Sequence, residues 1–345
     1  MRGAATAGED PARTADGVES IVQLGGETLR GALSRTEEQL KRVTSEAGRP
    51  LSGHAHATVR AGGKRLRPLL VMLAADAAGE EALDGEGAQG VVRAAVAVEL
   101  VHSATLVHDD IVDGAGLRRG QPTVSAVAGR HAALATGDLL FSRAFAELAL
   151  NGSIPQLRAL SIASSALAEG ELLQREDAYA YDVPVDRYLR RCELKTAALF
   201  EAACRMGALA GPGSPESLAE DLGRFARRIG LAFQILDDVL DVSGPIERTG
   251  KTPGTDLLDG TVTLPLILAR DRDATLAAVD LRGLRGSDDA QALCERIATT
   301  GALEESRERA LAIVTDAKAA LPRILPDGRS AMLELVADSV VERYR

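Results

Sequence analysis

Two short acidic runs, each set inside an otherwise apolar stretch, constrain this chain more than any other feature of it. Leu106-Val-His-Asp109-Asp110-Ile-Val-Asp113 and Phe233-Gln-Ile-Leu-Asp237-Asp238-Val-Leu-Asp241 share the form DDxxD. On a helix, the first and last aspartates of each run lie four residues apart and share a face. Carboxylates crowded in this way repel one another, and burying them unpaired is costly. A single copy reads more readily as a solvated helix end. Two copies inside apolar runs ask for cations, held between two helices across a cavity, as helix bundles hold metals. An oxygen-only ligand set with open positions suits Mg2+, which keeps waters and is shared with substrate phosphate.

The remainder of the sequence supplies a helical frame for these runs. Alanine and leucine, both strong helix formers, dominate it. Apolar residues recur at helical spacing over residues 21–46, 68–78, 90–113, 131–150, 154–180, 185–209, 215–242 and 263–272, and the acidic, alanine-rich C-terminal part continues the pattern. Few segments alternate with period two, so strands have little support. The spacing predicts an all-α fold, one helical domain over residues 21–345, preceded by a disordered polar tail over residues 1–20. That tail lacks the apolar centre of a signal peptide. No charge-free run reaches the roughly 18 apolar residues of a membrane span, so none is expected.

The formal net charge of −10 argues against nucleic acid as a partner. Cys192, Cys204 and Cys294 form no CxxC pair, which speaks against a zinc site or a disulfide framework and fits a reducing cytoplasm. An anionic ligand would need local clusters of cations, and the chain has them. Gly62-Gly63-Lys64-Arg65-Leu66-Arg67-Pro68 sets three cations beside two glycines at a helix start, where backbone can approach an anion and arginine forks match phosphate oxygens. Arg118-Arg119 follows the first acidic run within reach of an ion-bound phosphate. Lys195-Thr196 and Gly250-Lys251 are further candidates. His102 lies on the helix stripe of Asp109, two turns below it, and Gln234 shares a face with Asp237, Asp238 and Asp241. Each of these alone reads more blandly, as a surface turn or a satisfied core histidine. In combination they suit a substrate with a diphosphate head and an apolar body. A di-iron carboxylate bundle would need two ExxH motifs, and only Glu99-Leu-Val-His102 is present.

In order along the chain, GGKRLRP, HSATLVHDDIVD, LRRGQPT, ELKT, FQILDDVLD and GKTPGTDLLDG resemble the motifs of the trans-isoprenyl diphosphate synthases, the polyprenyl synthetase family, and of its bacterial long-chain members in particular. The resemblance implies an isoprenoid synthase-type helical bundle around a central cavity, usually homodimeric. It also implies about three Mg2+ ions per active site. The substrates implied are isopentenyl diphosphate and an allylic diphosphate, and the product is an all-trans polyprenyl diphosphate, of the length used for quinone side chains. By matching position, Asp109 and Asp113 resemble primary metal ligands with Asp110 in support, and Asp237 resembles the ligand from the opposite helix, with Asp238 and Asp241 beside it. Lys64, Arg67, His102 and Arg119 resemble the grip on isopentenyl diphosphate. Arg118, Lys195, Thr196, Gln234 and Lys251 resemble the contacts to the allylic diphosphate. Asp109, Asp113, Lys195 and Asp237 form the catalytic set so implied.

One position departs from the family pattern. Many members carry lysine where this chain has Thr261, so one diphosphate cation is expected to be missing. Product length is expected to depend on Thr105 and Ala104, four and five residues before Asp109, where early-stopping members often carry Phe or Tyr. Small residues there favour a longer product, with Phe145, alongside Phe141 and Leu148, as a floor. The rival readings are a short-chain farnesyl or geranylgeranyl synthase, a class I terpene cyclase, and a noncatalytic subunit of a heteromeric synthase. A cyclase has no use for a second diphosphate grip, and a noncatalytic subunit tends to lose its aspartates. A cytoplasmic enzyme that touches a membrane transiently to release a long apolar product is the expectation.

Overall fold

Helices follow the apolar periodicity along the chain and pack around three of their number. The computed structural model describes residues 16–46, 48, 51–61, 63, 65–79, 81–85, 87–118, 120–210, 214–244, 253–325 and 330–342. In chain order the first helices are α1 (Asp16–Leu24), α2 (Gly26–Ser45), α3 (Leu51–Arg60), α4 (Leu66–Ala78) and α5 (Ala88–Val112). A two-residue antiparallel ribbon follows, β1 (Leu117–Arg118) against β2 (Gln121–Pro122). Then come α6 (Val124–Ala128), α7 (Arg130–Ala149), α8 (Ile154–Asp177) and α9 (Val185–Cys192). A π-helical turn (Glu193–Ala197) joins α9 to α10 (Ala198–Ala208) and is followed by α11 (Glu216–Ser243). The remaining helices are α12 (Thr255–Leu258), α13 (Leu264–Arg272), α14 (Ala274–Ala277), α15 (Ser287–Ala298), α16 (Ala302–Ile324) and α17 (Ala331–Glu342).

Helix α5 is apolar on every side between Val91 and Val101 apart from Arg93 and Glu99, and such a helix belongs in a core. It packs against α2, α4, α7 and α10, while α10 in turn packs on α4, α8 and α11, and α11 on α16. By length and composition α5 would pass for a membrane span, yet 72% of its apolar window is buried inside the protein, so it is a core helix. Local chemistry sets several boundaries. The Thr123 hydroxyl accepts a hydrogen bond from the Ala126 N–H, and the Ser153 hydroxyl from the Gln156 N–H, capping α6 and α8.

The structure corrects the sequence reading in three places. The helix expected over residues 21–46 is two helices, because the chain turns at Gly25-Gly26, where Gly26 takes a φ of 65° that few other residues tolerate. Residues 16–20, expected in the tail, form the start of α1, whose apolar side packs on α17. Residues 1–15 lie outside the described residues. The single helix expected over residues 185–209 is interrupted by the π turn.

Candidate active site

The two acidic runs end up on neighbouring walls of one cleft. At the C-terminal end of α5, Asp109 is half-buried, and loss of solvent pushes its carboxyl up to about 6. The Lys195 charge opposes that rise, whereas the Glu171 and Asp113 carboxylates add to it. Asp110 is buried and accepts a hydrogen bond of 2.6 Å from Arg118 Nε, so this carboxylate is already matched by a cation. Asp113 is exposed and accepts one of 2.7 Å from Arg175 Nη2. Lys195 donates to Glu171, and Arg175 stands 3.5 Å from the same carboxylate.

The second run lies along α11. Asp238 is buried, and its oxygens accept hydrogen bonds from the Tyr188 hydroxyl at 2.6 Å and from Gln234 Nε2 at 2.7 Å. Thr196 Oγ1 donates to Gln234 Oε1 at 2.6 Å, which completes a chain from the π turn to the aspartate. Burial, reinforced by the nearby Asp256 charge, raises the Asp238 carboxyl to about 7. Asp241 Oδ2 accepts the Asp256 backbone N–H at 3.2 Å, and the Asp241 carbonyl accepts that of Gly254, which ties the end of α11 to α12. Asp237 is half-buried on the same helix.

The π turn is what joins the two runs. Its wide geometry sends consecutive side chains to different walls: Lys195 to Glu171 and the Asp109 side, Thr196 to Gln234 and the Asp238 side. Two glycines let neighbouring helices close on it. A Cβ at Gly170 of α8 would stand 2.6 Å from the Lys195 nitrogen, and one at Gly230 of α11 would stand 2.8 Å from the Ala197 Cα. Asp113, Arg175, Lys195, Gln234 and Asp238 line the cleft that results, and Arg191, Asp256, Asp259 and Thr261 are among its other lining residues.

The basic turn divides its labour. Arg65 adopts a left-handed φ of 49°, and its guanidinium is bound to Glu37 (2.5 Å), to buried Glu99 (2.7 Å) and to the Val59 carbonyl (2.9 Å). This clamp fixes the turn and occupies Glu99, which removes that carboxylate from any ExxH metal pair. Arg67 lies over the Phe200 ring, 5.1 Å from its centroid. His102 is half-buried on α5, and its carbonyl accepts the Thr105 hydroxyl at 2.8 Å. Lys64, Arg119 and Lys251 lie outside the described residues. Below Asp109, Ala104 is fully buried while Thr105 is partly exposed. Phe141 meets the His108 ring at 6.0 Å between centroids, Phe145 is half-buried, and Leu148 is fully buried.

Sequence reasoning missed Glu171, Arg175, Tyr188, Arg191, Asp256 and Asp259. Glu171 and Arg175 left a signal, an oppositely charged pair at helical i,i+4 spacing. Tyr188 and Arg191 left none, because their role depends on the approach of α9 to α11. Among the described residues, no three His, Cys, Asp or Glu side chains close around a metal ion unaided. Carboxylates divided between two walls suit an ion that also binds substrate oxygens.

Residues 49–296 match the sequence pattern of the family described as Polyprenyl synthetase. A heptaprenyl diphosphate synthase component 2 from Geobacillus stearothermophilus is 40% identical to this chain, over 81% of this chain and 85% of that one. A geranylgeranyl diphosphate synthase from Methanosarcina mazei is 35% identical, over 83% of this chain and 87% of its own length. The crystal structure of a decaprenyl diphosphate synthase from Rhodobacter capsulatus shares the fold with a TM-score of 0.85 at 33% identity, over 95% of this chain and 99% of that one.

Proposed function

This chain belongs to the polyprenyl synthetase family and is a trans-prenyl diphosphate synthase, and from that premise we propose how its cleft works and what it makes. The substrates are an allylic diphosphate, seated between the two acidic runs, and isopentenyl diphosphate, held by the basic turn. The observation that carries this reading is the π turn, which sets Lys195 and Thr196 between Asp109 on one side and Gln234–Asp238 on the other.

The residues fit Mg2+. Their donors are oxygens alone, and burial has pushed two of the carboxyls, Asp109 and Asp238, toward the neutral form, a strain that a divalent cation relieves. Asp109, Asp113 and Asp237 would hold the ions, with Asp110, Asp238 and Asp241 behind them. When bound, the ions supply Lewis-acid neutralisation of the diphosphate leaving group. The protein does the rest. Lys195 stands beside Asp109, where a diphosphate oxygen can exchange with Glu171 for its ammonium. Arg118 stays on Asp110 and keeps that carboxylate oriented, and Arg175 does the same for Asp113. Lys64, Arg67, His102 and Arg119 hold the second diphosphate so that its double bond faces the allylic carbon, and proximity supplies much of the rate. The allylic C–O bond breaks, the new C–C bond forms, and the departing pyrophosphate takes the final proton. No protein nucleophile is required.

A long product is the reading that the small residues Ala104 and Thr105 favour, and Thr105 is the one that is not fully buried. Relatives of similar identity carry names that give products of different lengths. The chain keeps both acidic runs, which supports a self-sufficient catalyst, read here as a homodimer, even though one relative is named as a component of a two-part enzyme. Three buried, free cysteines support a reducing, cytoplasmic setting, with transient membrane contact for product release.

The test is elongation by purified protein with Mg2+, labelled isopentenyl diphosphate and allylic starters of increasing length, followed by product sizing. A ladder ending in a long prenyl diphosphate is expected, and Asp109→Ala is expected to lose about 10²–10³-fold in turnover, as when one preorganised electrostatic contact is lost. Near wild-type elongation by Asp109→Ala would remove that residue from the mechanism.

A further inference from the structure

The wall of the cleft made by α11 and the segment around α12 is acidic. Asp238, Asp256 and Asp259 line it, and position 261, which faces the same space, is an uncharged threonine. A multiply charged diphosphate cannot rest against such a wall unless a cation stands on it. Of the described cations that line the cleft, Arg175 is bound to Asp113 and Lys195 to Glu171, and Arg191 reaches it from α9.

Arg191 is 3% exposed, so its charge is held rather than left to solvent. Its Nη2 donates to the Val262 carbonyl at 2.6 Å, directly beside Thr261, and its Nη1 lies 3.4 Å from Asp177. Asp177 is also bound by Arg187, so this carboxylate is shared between two arginines and does not cancel Arg191. The guanidinium rests on the Tyr188 ring, 5.4 Å from its centroid, and the hydroxyl of that tyrosine is bound to Asp238. Of the five N–H donors of an arginine, two are taken by these partners. Arg191 lines the cleft, so an anion seated there lies against the same side chain.

We infer that Arg191 is a substrate-binding residue for the allylic diphosphate, supplying from α9 the positive charge that position 261 lacks. The inference rests on the diphosphate reading of the cleft and adds a residue to it.

Arg191 also holds the Val262 carbonyl, so its substitution must be read by something that a merely structural role leaves unchanged. Arg191→Gln keeps a donor for that carbonyl and removes the charge. Arg191→Lys keeps the charge and loses the fork. Thr261→Lys puts a cation back on the same wall from the other side. Steady-state kinetics of purified protein would be measured for the wild type, R191Q, R191K, T261K and the double variant R191Q/T261K. Binding of inorganic pyrophosphate in Mg2+ would be measured alongside by calorimetry. For R191Q, KM for the allylic diphosphate is expected to rise about 10- to 100-fold, the scale of one lost charge-assisted hydrogen bond, with KM for isopentenyl diphosphate nearly unchanged. R191K is expected to fall between R191Q and the wild type. The double variant is expected to regain most of the allylic KM and the pyrophosphate affinity. Equal losses for both substrates, or a loss that T261K does not restore, would overturn the inference and leave Arg191 as a brace for Val262. If the wild type itself did not elongate, the function proposed above would fail. Pyrophosphate binding by R191Q and R191Q/T261K would still decide the role of Arg191.

Discussion

Asp109 and Asp238 share one tension, a carboxyl needed as an anion and placed where an anion is disfavoured. Burial raises both above the ordinary 3.8, Asp109 to about 6 and Asp238 to about 7. For a raised acid, the folded protein holds more protons than the unfolded chain between the two pKa values, so stability falls as pH rises through that window. Without added cation, these two residues should therefore make the protein less stable at pH 7 than near pH 5, and a bound divalent cation should reverse the slope. Thermal unfolding with and without Mg2+ checks this. A rise in Tm of about 2–6 °C is expected near pH 8, and a clearly smaller one near pH 5.5, where the carboxyls are protonated. Equal shifts at both pH values would show that the ion binds elsewhere. The aspartates themselves were legible in the sequence as two spaced motifs. Their partners were not. Tyr188 on Asp238 and Arg175 on Asp113 come from helices 50 and 62 positions away, and no local pattern encodes such a meeting.

At the scale of the element, the π turn at Glu193–Ala197 is where the site is made. From within this turn Lys195 donates to Glu171 on one wall and Thr196 to Gln234 on the other. The wider turn, gripped by Gly170 and Gly230, fixes both. Gly170→Ala would force a methyl to within 2.6 Å of the Lys195 backbone nitrogen, so the π turn must shift. Overpacking of this kind costs about 1–3 kcal/mol. Misplacing Lys195 by about an ångström should lower kcat/KM for the allylic substrate by about 10²-fold. Circular dichroism and a melt would establish that the variant folds, and kinetics with each substrate in turn would locate the loss. An unchanged kcat/KM would mean that the turn is not what positions Lys195. The sequence showed a helical period through residues 185–209 and gave no warning of the bulge, because the alanine-rich segment is compatible with either winding. The break at Gly25-Gly26 did leave a local signal, a glycine pair, which the reading of one helix over residues 21–46 passed over.

At the scale of the molecule, the question is which residue meets the growing chain. Thr105 and Ala104 are equivalent candidates along the sequence, but the packing around α5 separates them: Ala104 is sealed into the core, and Thr105 is partly open. Thr105→Phe should therefore shorten the product by one or more isoprene units at little cost to folding, each unit being about the 5.4 Å of a helical turn. Ala104→Phe should cost about 1–3 kcal/mol of stability through overpacking, whatever it does to the product. Chromatographic sizing of products, with melting temperatures beside it, separates the two. An unchanged product distribution for Thr105→Phe would place the growing chain elsewhere. The sequence by itself determined that the chain is helical and that two carboxylate runs lie on helix faces, and it offered clustered cations as candidates for a diphosphate. It could do so because helical periodicity and motif spacing are local properties, fixed within a few residues. The tertiary structure alone decided that Glu99 is held by Arg65, that Lys195 and Thr196 serve different walls, and that Arg191 stands beside Thr261. Those facts depend on which helix faces meet, and that is settled by packing between residues far apart in the chain.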